Sequence, residues 1–305
     1  MEQWGLYNSE YTDTDISASK AWGYATGRGV RVGIIDCGID INHEDLKDNI
    51  SKERYDATLD KKVETFKIDN SHGTLCAGIA GAVRNNNLHI CGVAPDAVNV
   101  PIRVDINSNK FATHAGRAIE WASNNGVDVM SLSWGCPKDS LIIKAIDYAL
   151  TKGRGGKGCV VVTSAGNNGN SSGDISFPGN FNRDVITVGA ITQRGKRLST
   201  SSYGNYMFVC APGYEIISTA PGNKNEVASG TSMAAPHVAG VAALILERDS
   251  TLTMKQVREI IAKNTTDINP DDKRVTKEFK LKWDKEYGYG LVNAFECVRN
   301  TPRKW

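Results

Sequence analysis

The sequence predicts an α/β fold, with a mostly parallel central sheet and helices on both faces. Two observations carry this. Short β-branched runs alternate with longer segments of helical apolar spacing along most of the chain. The strand-like runs are continuously apolar rather than alternating, as expected of strands covered on both sides. A chain of 305 residues is within the reach of one such domain, and a single domain over 1–305 is expected.

Taken in order, residues 16–22 read as a short helix. The turn Gly27-Arg28-Gly29 then leads into the apolar run 30–35, a buried strand that ends at Asp36. These glycines precede the strand, so they do not make a dinucleotide-binding fingerprint. Residues 72–82, from His72 onward, are small and read as a tightly packed helix, followed by a polar loop at 85–88. A second strand is expected at 97–104 and an amphipathic helix at 112–125, ended by Gly126. The third strand, 127–133, is closed by Trp134-Gly135. A helix at 141–150, a glycine-rich turn at 153–158 and a fourth strand at 159–163 follow. The strand runs into Ser164-Ala165-Gly166-Asn167. Further strands are expected at 185–190 and 207–211, and helices at 231–248 and 253–264. Pro236 is compatible with the first of these helices if it lies in the opening turn. The Lys/Asp-rich stretches 48–69 and 267–285 read as solvated loops.

Composition narrows the function classes. Lys and Arg number 36 against 34 Asp and Glu, a net charge of +2, with no basic stripe interleaved with aromatics. A nucleic-acid partner is therefore not expected. No window of about 18 uninterrupted apolar residues is present, so no membrane span is expected. Residues 1–22 lack an apolar leader core, which fits a cytoplasmic protein or a secreted mature chain with its leader removed. Seven cysteines, odd in number and without a Cys-x-x-Cys pair, read as free thiols in a reducing compartment.

Three residues with complementary chemistry stand at predicted element ends: Asp36, His72 and Ser232. A serine hydroxyl needs a base to take its proton, an imidazole is suited to that near neutral pH, and a carboxylate fixes its tautomer. Ser232 opens an apolar helix, where unpaired N–H groups and the helix dipole favour developing negative charge. Asn167, in a Gly-flanked turn after a strand, can donate a side-chain N–H to that charge. The other histidines fit less well as bases. His237 lies about 140° round the helix from Ser232, and His43, His89 and His114 sit in polar stretches that read as exposed surface.

The blocks 32–40, His72-Gly73-Thr74, Ser164-Ala165-Gly166-Asn167 and Ser229-Gly230-Thr231-Ser232-Met233-Ala234 together resemble the subtilisin family of serine endopeptidases, in that family's order and over nearly the whole chain. The resemblance implies a subtilisin-like three-layer fold and peptide-bond hydrolysis through an acyl-enzyme on Ser232, with a processing role as one expectation. It assigns Asp36, His72 and Ser232 as the triad and Asn167 as oxyanion donor. It places Ser133, Trp134 and Gly135 as the strand that pairs with an extended peptide or protein substrate. Ser164, Ala165 and Gly166 become the opposite wall of the pocket for the residue before the cut. It also implies a structural Ca²⁺, held by the side chains of Gln3, Asp45 and Asn86 and the carbonyls of Arg84, Leu88 and Ile90, an oxygen set that suits the ion.

Some segments are similar to the kexin and proteinase K branches. Among them are Ser133-Trp134-Gly135 and Cys76, a thiol expected beneath His72. The chain departs from the kexin pattern at Cys136-Pro137-Lys138-Asp139, where a lysine stands among expected acids. Asp139 and Asp174 are the remaining sources of negative charge, so selection of basic or of varied side chains stays open, as does oligomeric state. The alternative from another class is a catalytically silent peptide-binding protein on the same fold. A nucleotide-binding protein is a distant third, since the phosphate loop is missing.

Overall fold

The structure is a computed structural model describing residues 3–268, 274–276, 278–279 and 281–302. Its centre is a ten-stranded sheet. The strands are β1 (Arg31–Asp36), β2 (Tyr55–Asp56), β3 (Lys61–Lys62), β4 (Val98–Arg103), β5 (Val129–Leu132), β6 (Val160–Ser164), β7 (Ile186–Ile191) and β8 (Val209–Pro212). A hairpin, β9 (Ile216–Ala220) and β10 (Lys224–Ala228), stands outside it. The C-terminal part adds β11 (Thr265–Thr266), a separate small pair β12 (Arg274–Val275) and β13 (Lys282–Trp283), and β14 (Leu291–Val292). The helices are α1 (Ala18–Ala21), α2 (His72–Gly81), α3 (Phe111–Asn124), α4 (Ser140–Lys152), α5 (Thr231–Arg248), α6 (Met254–Lys263) and α7 (Ala294–Arg299).

The order across the sheet is β11-β14-β8-β7-β6-β5-β1-β4-β2-β3. All pairings from β14 to β2 are parallel; only the edge strands β3 and β11 run antiparallel. The interior strands are buried almost without interruption, which is why they read as apolar runs rather than alternating ones. The chain steps from β1 to β4 on one side and then crosses back over β1 to β5. Helix α2 packs on β1 and β4, while α3 and α4 pack on each other. Helix α5 packs on α2 and on β5 to β8, so it shares the α2 face. The reversal makes the carboxyl ends of β1 and β5 a topological switch point, where a cleft opens in sheets of this kind.

The elements read from the sequence are present, with α5 at the predicted limits and the others shifted by a few residues at their ends. Pro236 falls five residues after the start of α5, in the second turn rather than the opening turn that the sequence suggested; the Ser232 carbonyl that its missing N–H leaves unpaired accepts the Ser133 hydroxyl instead. The hairpin, α7 and the edge strands were not anticipated. The two segments read as solvated loops are corrected. Tyr55 and Asp56 form β2 and are buried. Arg103, which is 5 % exposed, needs buried carboxylates to offset its charge. Asp56 supplies one at 3.1 Å, and Asp69 another at 2.7 Å. In the second segment, Trp283 is buried and its Nε1 donates to the Met207 carbonyl at 2.8 Å. Residues 269–273, 277 and 280 of that stretch lie outside the described residues.

His43 and His114 are also buried, not exposed. His43 Nδ1 accepts the Asp45 N–H at 3.1 Å, leaving Nε2–H to donate to the Lys224 carbonyl at 3.1 Å. A ring satisfied at both nitrogens can be buried cheaply. His114 goes under with the packed face of α3, and burial lowers its pKa from the ordinary value, with Arg117 adding to the effect.

Candidate active site

Asp36 closes β1 and is 2 % exposed. Its Oδ1 accepts the N–H of Cys37 at 2.8 Å, which orients the carboxylate. His72 opens α2, and its Nδ1 lies 2.9 and 3.0 Å from the two Asp36 oxygens. An ionised carboxylate only accepts, so Nδ1 carries the proton and Nε2 is the free base. The negative charge of Asp36 raises the His72 pKa above its ordinary value; burial opposes this and the hydrogen bond adds to it. The close approach depends on Gly73, because a Cβ there would lie 2.2 Å from the Gly38 carbonyl oxygen.

Ser232 is the second residue of α5, after the N-cap Gly230 at φ 144°. Its hydroxyl donates to the Ser133 carbonyl at 3.1 Å, and the Ser133 hydroxyl returns a bond to the Ser232 carbonyl at 3.0 Å. No hydrogen bond joins Ser232 to His72. Cys76, one turn after His72, links the two: its thiol lies 3.6 Å from the Ser232 carbonyl. Its sulfur and ligating atoms of Asp36 and His72 all fall within 4.8 Å of one another. The sequence expectation of a buried thiol beneath His72 therefore holds. His237 points elsewhere. It donates from Nδ1 to the Met233 carbonyl at 2.8 Å, and burial pushes its pKa down to about 4.

Asn167 sits beside the start of α5. Its Oδ1 accepts both the N–H and the hydroxyl of Thr231, at 3.0 and 3.1 Å. Only the carbonyl oxygen of an amide can accept, so these bonds fix its orientation and leave Nδ2 as an unused donor. Thr231 in turn accepts the Gly166 N–H at 3.1 Å. A Cβ on Gly230 would come 3.2 Å from Asn167 Nδ2, so glycine keeps that donor accessible.

The expected walls face a common floor. A Cβ on Gly135 would lie 2.8 Å from Ser176 Cβ, and one on Gly166 only 2.3 Å from Ser176 Oγ. Ser176 was missed because nothing local marks it in an irregular loop. Thr231 was missed too, although its place next to Ser232 was a signal. Trp134 donates from Nε1 to the Ile35 carbonyl at 2.9 Å and stacks edge-on against Phe111, so it spans the switch point. Ser133, Ser164 and Ala165 are buried, whereas Gly135 is exposed. Asp139 caps α4 by accepting the Leu141 N–H at 2.7 Å.

The residues expected to hold calcium also gather. Asp45 is fully buried. It accepts from Asn86 Nδ2 at 2.7 Å and from the Ile90 N–H at 2.9 Å. Gln3 bonds both the N–H and the carbonyl of Cys91, each at 2.8 Å. Asn86 Oδ1 accepts the Leu88 N–H at 3.2 Å, while the Arg84 side chain turns to Asp96. Asp45 offers a buried carboxylate, and a flip of the Asn86 amide would bring its oxygen beside it, donors of the hard-oxygen kind that Ca²⁺ takes.

A buried aspartate–histidine couple beside a helix-borne serine, at the switch point of a parallel sheet, marks the class of α/β serine hydrolases. The sequence profile of the subtilase family matches residues 27–290. Subtilisin DY of Bacillus licheniformis is 39 % identical over 291 residues, spanning 92 % of this chain and 94 % of that protein. A calcium-dependent protease of Nostoc sp. is 34 % identical over 97 % of this chain, which spans only 51 % of that relative. Among solved structures, fervidolysin from Fervidobacterium pennivorans, a keratinolytic enzyme related to subtilisin, has a TM-score of 0.83 and 28 % identity. That match covers 99 % of this chain and 46 % of the other. The chain belongs to the subtilase family. It is a subtilisin-like serine endopeptidase, and peptides are its substrates. Among the described residues, no helix is long and apolar enough to cross a membrane.

Proposed function

We propose that Ser232 is the nucleophile of an Asp36–His72–Ser232 triad. The observation that carries this is the 2.9 Å contact of His72 Nδ1 with buried Asp36, on a helix tied through Cys76 to the serine. A χ1 rotation frees Ser232 from the Ser133 carbonyl and turns its oxygen toward Nε2; such bonds often tighten only with substrate bound. His72 takes the hydroxyl proton as Ser232 attacks the scissile carbonyl. The oxyanion receives N–H bonds from Asn167 Nδ2 and from the Ser232 backbone at the α5 N-terminus. His72 then gives its proton to the leaving amine, and water resolves the acyl-enzyme by the same steps reversed. Residues 133–135 pair with the extended substrate, and 164–166 with Ser176 receive the side chain before the cut. The uncharged Ser176 and the engagement of Asp139 as a helix cap favour varied rather than basic side chains there.

Asp45, Asn86, Gln3 and the carbonyls of Arg84, Leu88 and Ile90 would hold a calcium ion, which would neutralise the buried carboxylate and pin the N-terminal segment to the 84–90 loop. The chain acts as one catalytic unit. Its seven cysteines, none in a disulfide and five of them buried, favour a reducing, intracellular setting over a secreted one.

Cleavage mapping of a peptide library by mass spectrometry tests the reading. Ser232→Ala is expected to lower turnover by about 10⁶, a magnitude known for subtilisin rather than derived from this chain. Unchanged cleavage by Ser232→Ala would refute the triad. A silent peptide-binding protein would cleave nothing in either form. Enrichment of Arg or Lys before the cut would overturn the specificity reading.

A further inference from the structure

Helix α2 delivers His72, yet the segment before it, 63–71, has no regular structure. Its N-cap residue, Ser71, makes no capping bond. The neighbouring Asn70 does this work instead. Asn70 Oδ1 accepts the His72 N–H at 2.9 Å and also faces the Cys37 thiol at 3.0 Å. Cys37 follows Asp36 and donates its own N–H to that carboxylate. Burial, with the charge of Asp36 adding to it, pushes the Cys37 thiol up to about 12, so it stays protonated and remains a donor. One amide oxygen thus joins the residue after Asp36 to the backbone of His72.

Asp69 makes a second tie. Its carboxylate accepts from Arg103 Nη2 at 2.7 Å, and Arg103 is the cross-strand partner of Asp36. Burial works against the charge, but the bonds from Arg103 and Lys67 hold the Asp69 carboxyl below its ordinary range. The loop crosses close over the strand end: a Cβ on Gly38, at φ +110°, would lie 2.8 Å from the Lys67 carbonyl oxygen. Both ties therefore reach the strand pair that carries Asp36, at the level of Asp36 itself.

We propose that Asp69 and Asn70 are positioning residues that set the His72 imidazole against the Asp36 carboxylate. This rests on the triad reading. Each acts on the reaction through the placement of His72. Misplacement of a catalytic group by a fraction of an ångström lowers the rate without weakening substrate binding.

The test is steady-state kinetics of the full chain across pH, with Asn70→Ala, Cys37→Ala, Cys37→Ser, Asp69→Asn and Asp36→Asn. Asn70→Ala is expected to lower kcat by about tenfold, with KM nearly unchanged. The acid limb of kcat/KM is expected to move to lower pH as the Asp36–His72 couple loosens. Cys37→Ala is expected to act in the same direction, and Cys37→Ser, which keeps a donor, to restore the parent profile. Asp69→Asn is expected to lower kcat less. A folded Asn70→Ala with parent kcat and acid limb would overturn the proposal, as would an effect confined to KM. If Asn70→Ala does not fold, the contrast between Cys37→Ala and Cys37→Ser decides. Asp36→Asn separates the two readings: parent-like activity there removes the triad itself, whereas its loss beside an unaltered Asn70→Ala removes only the positioning role.

Discussion

At the level of single residues, the base role proposed for His72 would set the pH dependence of the site. Asp36 raises its pKa above the ordinary 6.5, and only the neutral imidazole can take the Ser232 proton. Activity is therefore expected to fall as pH drops through a value above 6.5. A pH profile of kcat/KM with its acid limb at or below that value would contradict the assignment. Stability runs the other way. A raised pKa contributes stability that is fully present below the unfolded value and is lost as pH rises through the folded one. The couple thus steadies the fold most on the acid side, where catalysis is failing. The same scale supports the donor role proposed for Asn167: Thr231 occupies its oxygen, which leaves the amide N–H groups for the oxyanion.

At the level of elements, α2 and the β9–β10 hairpin are fitted to each other. Ser218 and Thr219 donate their hydroxyls to the Leu75 and Thr74 carbonyls at 2.7 and 2.9 Å. This brings the hairpin so close that a Cβ on Gly78 would lie 2.3 Å from Thr219 Oγ1. Gly78→Ala is expected to destabilise by about 1–3 kcal/mol through overpacking, read as a lower urea midpoint at constant slope. An unchanged midpoint would show that the hairpin yields freely. Sequence reading found α2 because its run of small residues is unusual, but missed the hairpin. Strand β10 is almost wholly exposed, and β9 buries Ser218 and Thr219 among its apolar residues. Neither strand offers the apolar alternation by which strands are found. Helix α5 was read to its limits because its apolar run is long and opens on small residues.

At the level of the whole molecule, the proposed calcium site would join distant parts of the chain. Gln3 bonds Cys91, and Asp45 gathers Asn86 and Ile90. Such a bond between segments stabilises the native state by mass action, by about 2.7 kcal/mol when the ion is at a hundred times its dissociation constant. Chelation is expected to lower the melting temperature measured by calorimetry. Asp45→Asn is expected to melt lower and to lose its response to chelator. A melting temperature indifferent to chelator in the parent chain would remove the ion from the account.

The sequence by itself determined the α/β class, the order of most elements and the candidate residues of the site. These are written in short windows: apolar runs, small-residue helix starts, and reactive residues at element ends. The tertiary structure alone decided what depends on distant segments meeting. It buried Arg103 between Asp56 and Asp69, took His43 and His114 out of solvent, and put Ser176 beneath Gly135 and Gly166. It also left the Ser232 hydroxyl on the Ser133 carbonyl. The reason is physical: local pattern reports which face of an element avoids water. Only packing across the switch point of the sheet determines which polar groups find each other there.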